Sequence, residues 1–263
     1  MDTPTLFLTT LALSAAAMFA LWLVSLALRD ASIVDVYWGP GFAVIGAAAW
    51  LLGSGGDDAR RALATLLVAL WGARLGTYLG WRNFGRGEDP RYQAMRRHWG
   101  DRFARVSLVT VFGLQAWLLW FVSLPVQAVH VSPGGPLGAL DGAGAALVIL
   151  GLSFEGVGDA QLARFRADPA NRCRVLDRGL WRYTRHPNYF GDCCAWWGLY
   201  AIAAATPLGV WTVLSPLAMS FLLLRVSGVA LLERSIGKRR PDYADYIART
   251  SAFVPLPPRR RRS

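Results

Sequence analysis

Ala62 to Trp81 read ALATLLVALWGARLGTYLGW, twenty positions with a single charge, Arg74. A helix that crosses a bilayer needs roughly 20 mainly apolar residues, and this stretch supplies them. Gly72, Gly76 and Gly80 fall on a G-x-x-x-G-x-x-x-G spacing, which lets a second helix approach closely. Working outward from it, six further stretches have comparable character. They are Leu6 to Leu28, Ile33 to Leu52, Val106 to Val131, Leu137 to Val157, Tyr189 to Thr206 and Leu208 to Leu232. The expected fold is therefore all-α, a polytopic membrane helix bundle of about seven transmembrane helices. The first stretch has no basic residue ahead of its apolar run, so it reads as a retained helix and not a signal peptide.

Composition agrees. The chain is 54% hydrophobic yet carries 28 Lys+Arg against 17 Asp+Glu, a net charge of +11. A soluble nucleic-acid binder would not combine that charge with a mean hydropathy of +0.32, whereas apolar spans joined by cationic loops do. The apolar fraction also excludes disorder. Residues 82–105 and 158–188 hold seven arginines each, and the tail from 233 holds nine basic residues. The connections at 132–136 and 205–207 hold none. The positive-inside rule then places the amino terminus outside and the carboxyl terminus in the cytoplasm, as expected of a multi-pass protein of a bacterial inner membrane. Arg60 and Arg61 fall on the cation-poor side, against the rule. Three cysteines and three histidines at scattered positions give neither a disulfide scaffold nor a metal-ligand spacing. No phosphate loop, nucleophile elbow or strand-borne glycine fingerprint is present.

Charges inside apolar spans mark functional candidates. Asp35 lies near the start of the second span and Arg74 within the third. Glu155 and Asp159 sit one turn apart at the end of the fifth, and Asp192 one turn into the sixth. Arg74, Tyr78 and Arg82 recur every four residues and share one helix face. An ion pair with Asp35 or Glu155 is one role for Arg74, and an anion contact is the other. Glu155, Asp159 and Arg166 form a stripe leading into the second basic loop. In Arg185-His186-Pro187-Asn188, the proline sits where a helix begins. The free amides of that first turn, beside arginines, suit an anion.

Three segments carry a resemblance. Asp35-Val-Tyr-Trp-Gly39, then Arg82-Asn83 with Glu88-Asp89-Pro90-Arg91-Tyr92, then residues 180–192 (LWRYTRHPNYFGD) resemble the steroid 5-alpha-reductase superfamily. They are closest in pattern to its bacterial branch of uncharacterised membrane reductases. Tyr243-x-x-Tyr246 and Ser251-Ala-Phe-Val-Pro255 fit the same branch. The resemblance implies one reductase-like domain over 1–263, with an extra helix at 1–29, a cofactor-binding module at 158–257 and a basic tail at 258–263. It further implies NADPH as cofactor and reduction of an activated C=C bond in a hydrophobic, steroid- or lipid-like substrate. Cofactor contacts carry over to Arg74, Arg82, Asn83, Asp159, Arg166, Asn171, Arg172, Arg174, Tyr183, His186, Asn188, Tyr189 and Asp192. The family's second-helix acid corresponds to Asp35. The position of its third-helix tyrosine is Trp71 here, leaving Tyr37 or Tyr78 to substitute. The Arg-His-Pro-Asn motif is shared with membrane methyltransferases that use S-adenosylmethionine. Those enzymes commonly carry a Glu-Glu pair where this chain has Glu233-Arg234, so the methyltransferase is the alternative, and a non-catalytic membrane protein is a third. Lipid bilayer and a hydrophobic small molecule are the expected partners, nucleic acid is not, and oligomeric state is unread.

Overall fold

In a computed structural model the described residues are 1–172, 174–226 and 243–259. They are helical throughout, with a single bridge between Thr184 and Ser251. The main helices are α1 (Thr3–Leu28), α2 (Ile33–Leu52), α3 (Asp58–Asn83), α4 (Pro90–Trp99), α5 (Phe103–Ser107), α6 (Leu114–Val122), α7 (Leu124–Val131), α8 (Ala139–Ala167), α9 (Pro187–Ala203), α10 (Leu214–Phe221) and α11 (Tyr243–Arg249). Six stretches among the described residues are long and apolar enough to span a membrane: α1, α2, α3, Pro90–Val122, α8 and Gly209–Val226. The chain is a multi-pass membrane protein. The expected Tyr189 to Thr206 span is helical as α9 but runs only 17 residues. The last six residues of the expected Leu208 to Leu232 span, 227–232, lie outside the described residues, as does the Glu233-Arg234 pair.

Two expected boundaries move. The Val106 to Val131 span does not run straight. It contains a π-helical turn at Leu108–Gly113 and breaks at Ser123, whose φ and ψ are −78° and −3°. Pro125 explains the break, because its ring has no N–H and crowds the preceding turn. α8 in turn continues past Val157 to Ala167. Its polar carboxyl-terminal turns thus remain helical and display Asp159, Arg164 and Arg166.

The chain divides into two compact units, Met1–Gly142 with Leu199–Ser215, and Ala143–Gly198 with the described residues from Pro216 onward. In the first, α2 and α3 cross at their glycines. A Cβ at Gly39 would come within 2.5 Å of the Gly72 carbonyl, and one at Gly72 would collide with the Gly39 carbonyl. Gly76 receives the Pro40 ring, which gives the mid-helix proline of α2 the room it needs. Trp38, Phe42 and Trp71 then stack edge to face at 5.1 and 5.5 Å. Polar groups tie α1 to α6 and α7. Thr10 Oγ1 donates to Gln127 Oε1 at 2.6 Å, Ser14 Oγ to the Ala116 carbonyl, and Trp120 Nε1 to the Phe7 carbonyl.

Arg60 is 2% exposed. Its guanidinium binds both oxygens of Asp141 at 2.7 and 2.9 Å and reaches the carbonyls of Gly135 and Pro136. The exception to the charge rule is thus a paired, buried group. Arg61 bonds Asp58 and the carbonyls of Trp50 and Gly53.

In the second unit α8 and α9 run antiparallel on glycines spaced by seven, at 144, 151 and 158 on one helix and 191 and 198 on the other. Gly151 meets Gly191, Gly198 meets Gly144, and Gly158 meets Pro187. Gly72→Val or Gly151→Val should therefore destabilise the detergent-solubilised protein by about 1–3 kcal/mol through overpacking. Gly156→Ala, where an added Cβ meets nothing within 4 Å, should be neutral. Thermal melts of the three variants test this, and equal melting of Gly72→Val and wild type would disprove the close crossing.

Candidate functional site

Asp35 occupies the first turn of α2. Both its oxygens are engaged by the segment after α3. Tyr92 donates its phenol hydrogen to Oδ1 at 2.8 Å, and Arg91 Nη2 donates to Oδ2 at 2.6 Å. Of the roles open to Arg74, an ion pair with Asp35 is not formed. Instead Asp35 closes a clasp that the local sequence builds. Asp89 caps α4 by accepting from the Arg91 amide, and Pro90 follows at the first helical position, a residue order suited to helix initiation. Arg91 Nε also bonds Asp89. Glu88 reaches back to the α1–α2 turn, accepting from the Ala31 amide at 2.9 Å, and is held by Arg96 at 2.8 Å. The Glu88-Asp89-Pro90-Arg91-Tyr92 motif thus ties the start of α4 to the start of α2, with a buried phenol (Tyr92 is 7% exposed) at its centre.

Of the other expected catalytic side chains, Tyr37 rests its ring against Gly41 of its own helix and makes no hydrogen bond among the described residues. Tyr78 lies between Arg74 and Arg82, whose guanidinium carbons stand 5.6 and 5.8 Å from its ring centre. The expected stripe on α3 is therefore real, and Arg82 also bonds the Asn83 amide oxygen. Trp71 is fully buried against Phe42.

The second unit gathers the other group. Pro187 begins α9 as expected. Asn188 Nδ2 approaches Asp159 Oδ1 at 3.4 Å, and Glu155 and Asp159 are 2% and 5% exposed. The His186 and Tyr189 rings stack with centroids 5.6 Å apart, and His186 is buried. The approach to this helix start is clamped by the carboxyl-terminal segment. Thr184 Oγ1 donates to the Phe253 carbonyl, Arg185 Nη1 to the carbonyls of Ile247 and Thr250, and Tyr246 to the Trp181 carbonyl. Arg185 is therefore largely a strap holding two loops together. Burial pushes the Tyr246 phenol pKa above its usual value, in keeping with its role as a donor to the Trp181 carbonyl. Tyr183 is 43% exposed and offers its carbonyl to the Leu256 amide. Arg166, Arg172 and Arg174 are exposed.

Beside this clamp lies a cleft of about 370 Å³ between the last turns of α8 and the following loop, with Arg164 and Arg178 on its walls. Its frame is hydrogen-bonded. Gln161 Oε1 accepts from the Leu180 amide, and Asn171 Nδ2 donates to the Phe165 carbonyl and to Asp168. Sequence reading singled out Asn171 but missed both arginines and Gln161, because only the fold brings position 161 back to 179. It also missed Tyr92 as the partner of Asp35, although the motif containing it was in view. No cluster of His, Cys, Asp or Glu suited to a metal occurs among the described residues.

The clasp predicts a pH response. Burial raises the Glu88 carboxyl, but the bonds from Arg96 and the Ala31 amide outweigh it and leave the pKa below its ordinary value. For Asp89 burial is likewise outweighed, by Arg91 and its amide. A depressed carboxylate contributes stability that is complete above its unfolded pKa, about 4, and is lost as pH falls through the folded value. Amide exchange at Ala31 and across 88–97 should be flat from neutral pH to about 5, after correction for intrinsic rates. Protection should then fall in stronger acid, and Glu88→Gln should remove part of it at neutral pH. Unchanged protection at pH near 3 would refute the clasp.

The family described as Protein of unknown function (DUF1295) matches residues 21–250. No curated protein and no solved structure shows a significant match. The match takes in every charged helix position, the Asp35 clasp and the Arg185 and Tyr246 ties of the second, and the chain belongs to the DUF1295 family.

Proposed function

We propose that the protein is an NADPH-dependent reductase of an activated C=C bond in a hydrophobic, steroid- or lipid-like molecule, with its cofactor site facing the cytoplasm. The resemblance of its motifs to the steroid 5-alpha-reductase superfamily supports this reading. The observation that carries it is the polar nest at the start of α9. There Asp159 and Asn188 meet beside His186 and Tyr189, behind a strap that fixes the loop. Such a donor and acceptor set fits the ribose hydroxyls and carboxamide of a dinucleotide. The arginines of the neighbouring loop fit its phosphates, so the residues present suit the group.

When bound, NADPH would supply a hydride to the carbon–carbon bond. The chain itself must hold the substrate away from water and stabilise charge developing on the conjugated oxygen. Asp35 and Tyr92 fit that second task better than Tyr37 or Tyr78, because they already share a hydrogen bond. With a proton on Asp35, the carboxylic acid donates to the phenol oxygen and leaves the phenol hydrogen free for a carbonyl. Arg91 fixes the second carboxyl oxygen and so the orientation of the pair.

The S-adenosylmethionine-dependent methyltransferase is the second reading. The buried carboxylates Glu155 and Asp159 favour it, since they would suit a sulfonium cation. A ligand that binds the native state raises the melting temperature by mass action. NADPH should therefore stabilise the detergent-solubilised protein more than NADH or S-adenosylmethionine does. Stabilisation by S-adenosylmethionine alone would replace the reductase reading, and indifference to all three would favour a non-catalytic protein. Asp35→Asn and Tyr92→Phe should each slow NADPH oxidation with a 3-oxo-4-ene steroid by about 100-fold or more while retaining NADPH stabilisation. Full turnover by either variant would remove that residue from the chemistry.

A further inference from the structure

The cleft beside the strap has features that the nest does not use. Arg164 and Arg178 stand on its walls, and neither guanidinium has a hydrogen-bond or ion-pair partner among the described residues. The one carboxylate on the lining, Asp168, is already committed. Its oxygens accept from the Ala170 amide and from Asn171, capping the turn at Pro169–Asn171. The cleft therefore carries net positive charge with donors to spare. Its floor is apolar, since Phe165 and Leu176 are 9% and 6% exposed and both line it. Apolar side chains together with two arginines on one lining suit an aromatic base bearing a phosphate. The volume of about 370 Å³ lies at the small end of ligand pockets, large enough for one nucleotide and too small for a dinucleotide.

We propose that this cleft takes the adenosine end of the cofactor, with Arg164 and Arg178 on the 2′-phosphate. The assignment rests on the reductase reading above and adds the origin of its selectivity. Two planar guanidiniums without partners among the described residues can recognise a phosphate dianion through charge-assisted bonds. A 2′-hydroxyl in the same place would leave them without a partner and gain little. The chain should therefore discriminate NADPH from NADH at this end of the molecule, by residues remote from the hydride.

The test uses the full chain in detergent and reads binding, not turnover. Adenosine 2′,5′-bisphosphate should stabilise the protein and compete with NADPH, whereas adenosine 5′-monophosphate should bind about tenfold or more weakly. Arg164→Gln with Arg178→Gln should raise the Kd for NADPH by at least about tenfold and leave that for NADH unchanged. Neither side chain has a partner to lose among the described residues, so the fold should survive, and Arg178→Lys should restore part of the affinity. If the wild type bound NADPH and NADH equally, or the double variant bound NADPH normally, the cleft assignment would fall and the reductase reading would stand. Failure to bind any dinucleotide would remove both. Stabilisation by phosphatidylglycerol in mixed micelles, with no response to adenosine 2′,5′-bisphosphate, would mark the arginines as a lipid-headgroup site and overturn the proposal.

Discussion

A carboxylate or guanidinium carried into an apolar helix stack costs several kcal/mol unless its counter-charge travels with it. That constraint orders the polar part of this protein. Arg60 and Asp141 are almost fully buried and satisfy each other through two bonds, with backbone carbonyls and the Gly138 amide taking the remaining valences. Removing either partner from such a pair costs about 3–5 kcal/mol, because the other charge is left stranded. Asp35 obeys the same rule by a different route. It lies near a helix end, so an arginine and a tyrosine from the next polar segment can reach it.

Close helix approach is the second constraint, and it explains why the polar groups meet so accurately. Where Gly39 faces Gly72, or Gly151 faces Gly191, backbones touch with no side chain between them. Helices this close have little freedom to slide, since displacement by one residue would set a Cβ against a carbonyl. In hydrocarbon there is no gain from hiding apolar surface, so small-residue contacts and polar ties supply the association. Thr10 with Gln127, Ser14 with the Ala116 carbonyl and Trp120 with the Phe7 carbonyl serve α1 in that way. α1 itself carries no charged side chain and turns these hydroxyls inward, Thr10 and Ser14 both being buried.

The parts of this design that depend on local composition were legible in the sequence. Hydropathy located the membrane helices, the G-x-x-x-G run marked a real crossing, Pro187 marked the start of α9, and the four-residue spacing put Tyr78 between two arginines. What required the fold was pairing across long separations. Arg60 and Asp141 lie 81 residues apart, and Asp35 and Tyr92 lie 57 apart. On paper Arg74, within a span, had Asp35, Glu155 or an anion to meet, and nothing named Arg91 or Tyr92 for Asp35. The actual partner follows an N-cap and a proline, which turn the chain back toward α2. The glycines of α8 and α9 were visible but seven residues apart, and the usual four-residue spacing hid them.

Both clasps sit next to the residues proposed to act, and this follows from the first constraint. A functional charge near a membrane helix end must leave bonding capacity for a ligand, whereas Arg60 and Asp141 spend theirs on each other and on nearby backbone. It must instead be held by groups that are themselves anchored outside the span. Glu88 anchors α4 to the α1–α2 turn, so Arg91 and Tyr92 present fixed donors to Asp35. Arg185 and Tyr246 anchor the carboxyl-terminal segment, so the loop ahead of Pro187 presents Asn188 to Asp159. In each case most of the hydrogen bonds belong to the support, and only a few side chains remain for chemistry. Arg164 and Arg178 depart from that pattern. They lie on a braced cleft, yet neither bonds to the frame. Two guanidiniums on one cleft, with no hydrogen-bond or ion-pair partner among the described residues, have charge left to offer a phosphate.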